Sequence, residues 1–127
     1  MKILVANLGS TSLSERGDQR ARLALEALVY QTRHWVGAFF LELNGADALV
    51  FTAGIGEKDP ALRAAVSAGL DRLGIVLDAG ANQRALGIEA VISTPDSPVK
   101  VLVIPTNEEV VVAREVKRYL LTRSLAA

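Results

Sequence analysis

The segment from Asp47 to Lys58, DALVFTAGIGEK, constrains the fold more than any other part of the sequence. The apolar run Ala48 to Phe51 has the length and composition of a buried strand, and the glycine turn Gly54-Ile55-Gly56 follows it. Asp59 and Pro60 are typical first residues of a helix. Glycine lets backbone N–H groups approach a ligand closely, and a helix start adds unpaired donors and a positive dipole end. The segment therefore predicts a strand, a turn and a helix able to hold an anion, most often a phosphate.

Further strands and helices are predicted on both sides of this unit. Strands are expected at Lys2 to Ala6 (buried), Ala48 to Thr52 and Val99 to Ile104, with extended pieces at 74–78 and 91–93. Helices are expected at Gly17 to Leu43 (stopped by Asn44-Gly45), Pro60 to Leu73 and from Thr106 onward, with a helical turn at 81–86. Apolar spacing of three and four predicts that the helices bury Ala21, Leu25, Leu28, Thr32, Val36, Phe39, Leu43, Leu62, Val66, Leu70, Leu73, Val112, Val116, Tyr119 and Leu120. Strands that alternate with helices predict an α/β fold, with a mostly parallel sheet flanked by helices.

A polar loop follows each of the three strongest predicted strands. These loops are Asn7 to Ser12, Gly54 to Glu57, and Thr106 to Glu109. Ligands of parallel α/β sheets bind beyond the carboxyl ends of the strands. If the strands are parallel, all three loops open on the same edge, and this convergence predicts a binding site there.

Each loop also has a purely structural interpretation. Asn, Gly and Ser are the usual residues of a β-turn, so the first loop alone favours a turn over phosphate and Mg²⁺ binding. Gly54 to Glu57 lacks the Gly-Lys-Ser/Thr of a Walker loop and the third glycine of a dinucleotide fingerprint, so it could be an ordinary strand-to-helix connection. Thr106 and Glu109 have the spacing of a capping box, which leaves Glu108 free to bind a metal.

Composition excludes several classes of function. Fourteen basic residues balance fourteen acidic ones, which gives a nucleic-acid or acidic-membrane partner no electrostatic support. No apolar run reaches the roughly 18 residues of a membrane span, and the N-terminal strand does not resemble a signal peptide. The absence of cysteine favours a cytoplasmic address. Half of the residues are apolar, which favours self-association as a homo-oligomer.

Histidine and arginine give no candidate for acid–base or transition-state chemistry. His34 is the only histidine and is assigned none. The arginines are expected on solvated faces; they are Arg16, Arg20, Arg22, Arg33, Arg63, Arg72 and Arg84.

The three loops, in this order, resemble those of the acetokinase family. MKILVANLGSTSLS resembles the family's opening strand and phosphate loop, DALVFTAGIGEK its adenosine motif, and VKVLVIPTNEEVVVARE its final strand and helix. The segments GDQRARLALEALVYQTRHWVGAFF, LGIVLD and ISTPDSPVKV also resemble the family's carboxyl-terminal part. By this resemblance, residues 1–14 correspond to the family's N-terminal strand and loop, and residues 16–127 to its C-terminal domain.

The resemblance implies a ribonuclease-H-like fold of the actin, sugar-kinase and Hsp70 superfamily, here as a single domain. It also implies reversible transfer of phosphate between ATP and acetate, or another short-chain carboxylate, with Mg²⁺. By matching position, Asn7 and Glu108 would hold the magnesium. Ser10 and Ser12 would lie near the transferred phosphoryl group. The nucleotide would contact Gly54, Ile55, Gly56, Glu57 and Lys58.

The sequence also departs from the family pattern. The family's chain is several times longer, and here its opening strand runs almost directly into its last third. Ser14 stands where lysine is expected, and Lys58 where asparagine is more frequent. The central part, with the family's carboxylate-binding and catalytic arginines, is missing. Because phosphoryl transfer depends on such positive charge, we expect at most trace kinase activity from this chain alone; the alternative is a non-catalytic nucleotide-binding or assembly module.

Overall fold

The computed structural model describes residues 1–9 and 19–124 of the 127-residue chain. Its strands are β1 (Ile3–Asn7), β2 (Ala48–Thr52), β3 (Ala90–Val91) and β4 (Lys100–Val103). Its helices are α1 (Gln19–Glu42), α2 (Gly54–Lys58), α3 (Pro60–Ser67), α4 (Ala79–Arg84) and α5 (Glu108–Ser124), with a 3-10 turn at Asp71–Leu73. The predicted alternation of strands and helices is confirmed.

The four strands form one sheet in the order β1, β2, β4, β3. β1 and β4 both run parallel to the central β2, with Asn7 opposite Thr52 and Phe51 opposite Val103. β3 is the one antiparallel member of this sheet. The three parallel strands therefore end at the same edge, as the sequence predicted.

The hydrophobic core lies on one face of the sheet. Side chains of alternate strand residues are buried there, in the sets that the register places side by side: Leu4, Ala6, Leu49, Phe51, Val101 and Val103. Leu62 and Val66 of α3 complete the core from above, together with half-buried residues of α1 such as Leu28 and Val36. The core therefore consists of one sheet face covered by two helices.

The prediction that β1 is a buried strand is correct for one of its two faces only. Ile3 and Val5 point to the opposite face of the sheet and are 45 % and 62 % exposed. Val50 is buried on that face, but Val91 is also more than half exposed. The described elements therefore cover this second face only in part.

The inward face predicted for the last helix is also wrong. Val112, Val116, Tyr119 and Leu120 of α5 are all at least 52 % exposed. The spacing predicts an apolar stripe correctly, but α5 forms no extensive contact with another helix or strand of the described residues. Its apolar stripe therefore lies on the molecular surface.

The long helix follows the prediction closely. Thr32 is buried and donates its hydroxyl to the Leu28 carbonyl at 2.7 Å. Phe40 packs against the core, whereas Phe39, which was predicted to do so, is half exposed. After the helix, Asn44 and Gly45 have φ values of 56° and 92°, which is the left-handed conformation expected of a helix-stop pair.

The helix predicted over Pro60 to Leu73 ends early, at Ser67. Asp59 caps its start by accepting a bond from the Leu62 N–H at 3.0 Å. Beyond its end, Gly69 has a φ of 68° and the chain turns away, so Leu73 is half exposed. Arg33 of α1 donates to the Val66 and Ala68 carbonyls at 2.8 and 2.7 Å, which satisfies acceptors that a helix end leaves unpaired.

Arg63 does not lie on the solvated face that was predicted for it. The side chain is completely buried. Its guanidinium donates to Gly56 O at 2.9 Å, to Asn82 Oδ1 and O at 2.8 and 2.9 Å, and to Ala85 O at 2.6 Å. Burial lowers the pKa of Arg63, and Asp59 opposes this change. Arg63 thus joins α3 to α2, to α4 and to the segment after α4.

We expect Arg63→Met to lower the free energy of unfolding by at least about 3 kcal/mol, because three carbonyls and one side-chain amide would lose a charged donor in a buried site. Urea denaturation followed by circular dichroism measures this loss.

Arg72→Met is the matched control, because Arg72 is exposed in the 3-10 turn. We expect a change within about 0.5 kcal/mol for this variant. Equal losses in the two variants would contradict the role given to Arg63.

Candidate functional site

The three predicted loops meet at the carboxyl edge of the parallel strands. The Leu8 N–H, just after β1, donates to the Thr52 carbonyl at 3.1 Å. A Cβ added to Gly56 would lie 3.6 Å from the Leu8 Cβ, so the first loop contacts the glycine segment. Glu57 in turn bonds Thr106 in the third loop. Within the described residues, at least part of each of the three loops therefore lies at this edge.

The predicted glycine turn is itself a short helix, α2. Its preceding residue, Ala53, has φ 61° and ψ 149°, a combination that is almost restricted to glycine and costs about 1–3 kcal/mol. Gly54 follows with a φ of 26°. Glycine adopts a positive φ most readily, yet here the buried Ala53, one residue before the glycine, also has one.

The Glu57 carboxylate joins the second loop to the third. Its Oε1 atom accepts bonds from the Ala53 N–H at 2.7 Å, the Thr106 N–H at 2.7 Å and the Thr106 hydroxyl at 3.0 Å. The residue is only 7 % exposed. One buried oxygen thus satisfies a backbone donor before α2 and two donors before α5.

These hydrogen bonds favour the ionised form of the Glu57 carboxyl. Burial alone would raise the pKa of its carboxyl, but the bonds from Thr106 and Ala53, with a smaller contribution from Lys58, lower it below its usual value. Each donor stabilises the negative charge, so the charged form is favoured in spite of desolvation.

The predicted capping box of Thr106 and Glu109 is wrong in its N-cap residue, Thr106. The Asn107 side chain caps α5 instead, because its Oδ1 accepts a bond from the Val110 N–H at 3.1 Å. The hydroxyl of Thr106 is committed to Glu57. Thr106 and Asn107 are both suitable capping residues. Because the Thr106 hydroxyl bonds Glu57, Asn107 caps the helix.

The predicted site residues occupy different environments. Asn7 ends β1 and is exposed, Lys58 ends α2 and is exposed, and Glu108 is the first residue of α5. Gly54 and Ile55 are half buried, and Gly56 and Glu57 are buried. Ser10 and Ser12 lie outside the described residues. Contact of the Gly54 to Lys58 segment with a nucleotide stays a prediction.

The donor set of Asn7 and Glu108 suits Mg²⁺, which binds oxygen ligands and usually keeps several waters and phosphate oxygens. Within the described part of the chain, no cluster of three or more His, Cys, Asp or Glu side chains could hold a metal by itself. Mg²⁺ held by Asn7 and Glu108 would also take ligands from water or from phosphate.

Two supports of the site carried no local sequence signal that we recognised. Arg63 fixes the Gly56 carbonyl, and the Gly87 N–H donates to the Glu57 carbonyl at 2.9 Å. For Arg63, the sequence did contain one hint, because this arginine lies next to Leu62 on the side of the helix that carries Leu62 and Val66. His34 is exposed on α1 and contacts the Trp35 ring edge-on.

None of the helices within 1–9 and 19–124 combines the length and the apolar character that a bilayer crossing requires.

We expect the free energy of unfolding to fall as the pH drops from the ordinary glutamate range, about 4.3, through the lower pKa of Glu57 in the folded protein. The reason is that protonation neutralises the Glu57 carboxylate and so weakens the three hydrogen bonds that it accepts in the folded state. In Glu57→Gln this acid-dependent part should be missing, and stability at pH 7 should fall by about 1–3 kcal/mol. Urea denaturation at several pH values measures both effects.

Glu26→Gln is the control, since Glu26 is exposed on α1 and only 3.9 Å from Arg22 in a surface ion pair. Its stability should stay within about 0.5 kcal/mol of the parent protein at pH 7. An unchanged acid response in Glu57→Gln would contradict the assignment.

The sequence is similar to those of known proteins. The sequence model of the Acetokinase family matches residues 3–114. The acetate kinase of Dictyoglomus thermophilum is 50 % identical over 105 residues, which cover 83 % of this chain and 26 % of that protein. The acetate kinase of Methanosarcina acetivorans is 51 % identical over 104 residues, or 82 % and 25 % of the two chains.

Solved structures give the same result. Porphyromonas gingivalis acetate kinase superimposes with a TM-score of 0.71 at 39 % identity, over 82 % of this chain and 26 % of that one. A propionate kinase from Francisella tularensis gives a TM-score of 0.64 at 34 % identity, over 78 % and 25 %. These structures confirm the expected actin-like α/β fold. The chain spans about a quarter of the length of the relatives it matches, and it belongs to the acetokinase family.

Proposed function

We propose that this chain binds a nucleotide together with Mg²⁺ at the carboxyl edge of its parallel strands, as a partial acetokinase site. The observation that carries the proposal is the meeting of the three loops at that edge, through the contact of Leu8 with Gly56 and the bonds of Glu57 with Thr106. The residues of all three loops resemble family motifs in type and order.

Each group at this edge has a separate role in the proposal. The N–H groups at the start of α2 have no intrahelical acceptors and are suited to nucleotide oxygens. Lys58 would add positive charge beside them. Asn7 and Glu108 would hold Mg²⁺, which neutralises phosphate charge when bound.

Catalysis makes a further demand that this chain meets poorly. Phosphoryl transfer between ATP and a short-chain carboxylate depends on positive charge held at the equatorial oxygens, and losing one such arginine costs about 10³ to 10⁵ in rate. Arg63 is buried and bonded to Gly56, Asn82 and Ala85, and Arg33 is bonded to α3. We therefore propose at most trace acetate kinase activity for the chain alone.

A non-catalytic binding or assembly module is the second candidate. It is favoured by coverage of only about a quarter of the relatives. A nucleotide-binding module shares the nucleotide site with the partial kinase and differs from it in turnover, whereas a pure assembly module has no such site.

We expect saturable ATP binding by isothermal titration calorimetry, tighter with Mg²⁺ than with EDTA, because metal and nucleotide share the site. The double variant Asn7→Ala, Glu108→Ala should weaken binding in Mg²⁺ by at least about tenfold, the smallest loss typical when groups around a metal are removed.

The control carries Glu26→Ala and Gln31→Ala, both exposed on α1, which contributes none of the three loops. It should bind like the parent protein. Absence of binding at millimolar ATP would refute the proposed site. Hydroxylamine trapping of acyl phosphate separates the two candidates: product no greater than that of the double variant leaves the non-catalytic module.

We also propose that the chain forms a homodimer through β1. This strand is an edge of the sheet. Lys2 O and Leu8 N bond toward the β2 side, so alternation leaves the N–H and C=O groups of Ile3, Val5 and Asn7 directed outward.

The surface beside this edge is large and apolar. A groove of about 580 Å³ lies between β1 and α1. Trp35 and Phe39 line it, stack with centroids 6.0 Å apart, and are both more than half exposed. Aromatic side chains bury about 150–250 Å² each, a useful part of the roughly 800 Å² that a stable interface needs from each partner. An antiparallel pairing centred on Val5 would place the two grooves side by side.

We expect Val5→Lys to shift the chain toward monomer in sedimentation velocity, because the two lysines would face each other across the dimer axis. Val5 is 62 % exposed, so the monomer should tolerate the change. Val91→Lys, on the opposite edge strand, should leave the dimer intact. Loss of the dimer in both variants, or a monomeric parent protein, would refute pairing through β1.

The cytoplasmic address expected from the cysteine-free sequence stays a prediction.

A further inference from the structure

Glu57 joins two loops that are far apart in the sequence. Ala53 and Thr106 are separated by 53 positions, yet the N–H groups of both bond the same oxygen, Oε1, at 2.7 Å. Ala53 precedes the start of α2, and Thr106 lies two residues before Glu108. Because the bonds share one atom, a shift of either loop moves the acceptor of the other.

Ala53, at one end of this connection, has a strained backbone conformation. Its φ of 61° and ψ of 149° are costly for a residue with a side chain, and such a conformation persists only when its surroundings hold it. The bond from the Ala53 N–H to Glu57 is one of those constraints. When the bond is lost, the strained residue is free to relax, and the start of α2 moves with it.

The neighbouring contacts hold the rest of α2 in place. Arg63 fixes the Gly56 carbonyl at 2.9 Å, and the Gly87 N–H fixes the Glu57 carbonyl at 2.9 Å. The Gly56 and Glu57 carbonyls of α2 are therefore each held by a donor from another segment, whereas the start of α2 is held through the bond from Ala53 to Glu57.

We propose that Glu57 is a positioning residue that couples the nucleotide segment to the loop carrying Glu108, so that Mg²⁺ and nucleotide strengthen each other's binding. This inference rests on the proposed function. Coupling between two ligands is reciprocal: a factor by which Mg²⁺ tightens nucleotide binding is the factor by which nucleotide tightens Mg²⁺ binding. Glu57 therefore contributes through Thr106 and Ala53, with its own carboxylate directed inward.

Thr106→Val and Thr106→Ser test the coupling with little risk to folding, because Thr106 is exposed. The valine variant removes the hydroxyl donor to Glu57, and the serine variant retains it. The measured quantity is the ratio of the ATP dissociation constants in EDTA and in Mg²⁺. We expect Thr106→Val to reduce this ratio by about fivefold or more, at the lower end of typical couplings, because ATP binding weakens in Mg²⁺ and not in EDTA. Thr106→Ser should restore the ratio.

A merely structural role would weaken binding equally in EDTA and in Mg²⁺, and that result would overturn the coupling while leaving the proposed function intact.

A second measurement needs no nucleotide. Amide NMR of the ligand-free protein should show the signals of both Ala53 and Thr106 displaced in Glu57→Gln. Hydrogen exchange at both amides should accelerate together by about tenfold or more, because each loses a charged acceptor. Independent behaviour of the two amides would overturn the coupling. A protein that shows concerted amides but no ATP binding would refute the proposed function and the ligand coupling built on it.

Discussion

Parallel pairing of β1 and β4 with β2 is the constraint on which the arrangement of the candidate site depends. It places Asn7 beside Thr52 and Phe51 beside Val103, so the chain leaves all three strands at one edge. Had β1 paired in the opposite direction, Asn7 would lie a strand's length of roughly 17 Å away, at the other edge. The register also aligns Leu4, Leu49 and Val101 on one face, so burial of the core and convergence of the loops have the same origin.

The helix α2 depends on tertiary contacts for its existence. A helix of five residues is far too short to be stable by itself in water. Arg63 bonds the Gly56 carbonyl in the middle of α2, and Glu57 bonds the N–H of Ala53 just before it, so two charged side chains with little exposure hold the segment. Among the described residues, neither charge has a direct ion-pair partner, and both are satisfied by hydrogen bonds from or to neutral groups. The glycine motif that the sequence analysis singled out is therefore also the segment that the buried Arg63 and Glu57 side chains stabilise.

Local pattern predicted the elements well and their surroundings less well. Apolar runs and glycine or proline signals located β2 and the end of α1 correctly, because these features depend on nearby residues. Period alone also identified the apolar stripe of α5, but whether a stripe is buried depends on a partner element, and none of the described elements supplies one. Arg63 and Thr106 were misassigned for a related reason. Their partners, Asn82 and Glu57, are 19 and 49 positions away, and no local rule identifies them.

Because α5 is exposed, we expect it to unfold more readily than the rest of the molecule. A helix with few buried contacts belongs to the part of a structure that unfolds locally at low free energy, independently of the core. The cooperative unit seen in a global denaturation is then the sheet with α1 and α3, and substitutions in the apolar stripe of α5 are nearly silent in it. Glu108 stands at the boundary between these two units, where Asn107 caps the helix and Thr106 is tied to Glu57. Fraying of α5 from its far end can thus proceed for several turns before it disturbs the residue at its base.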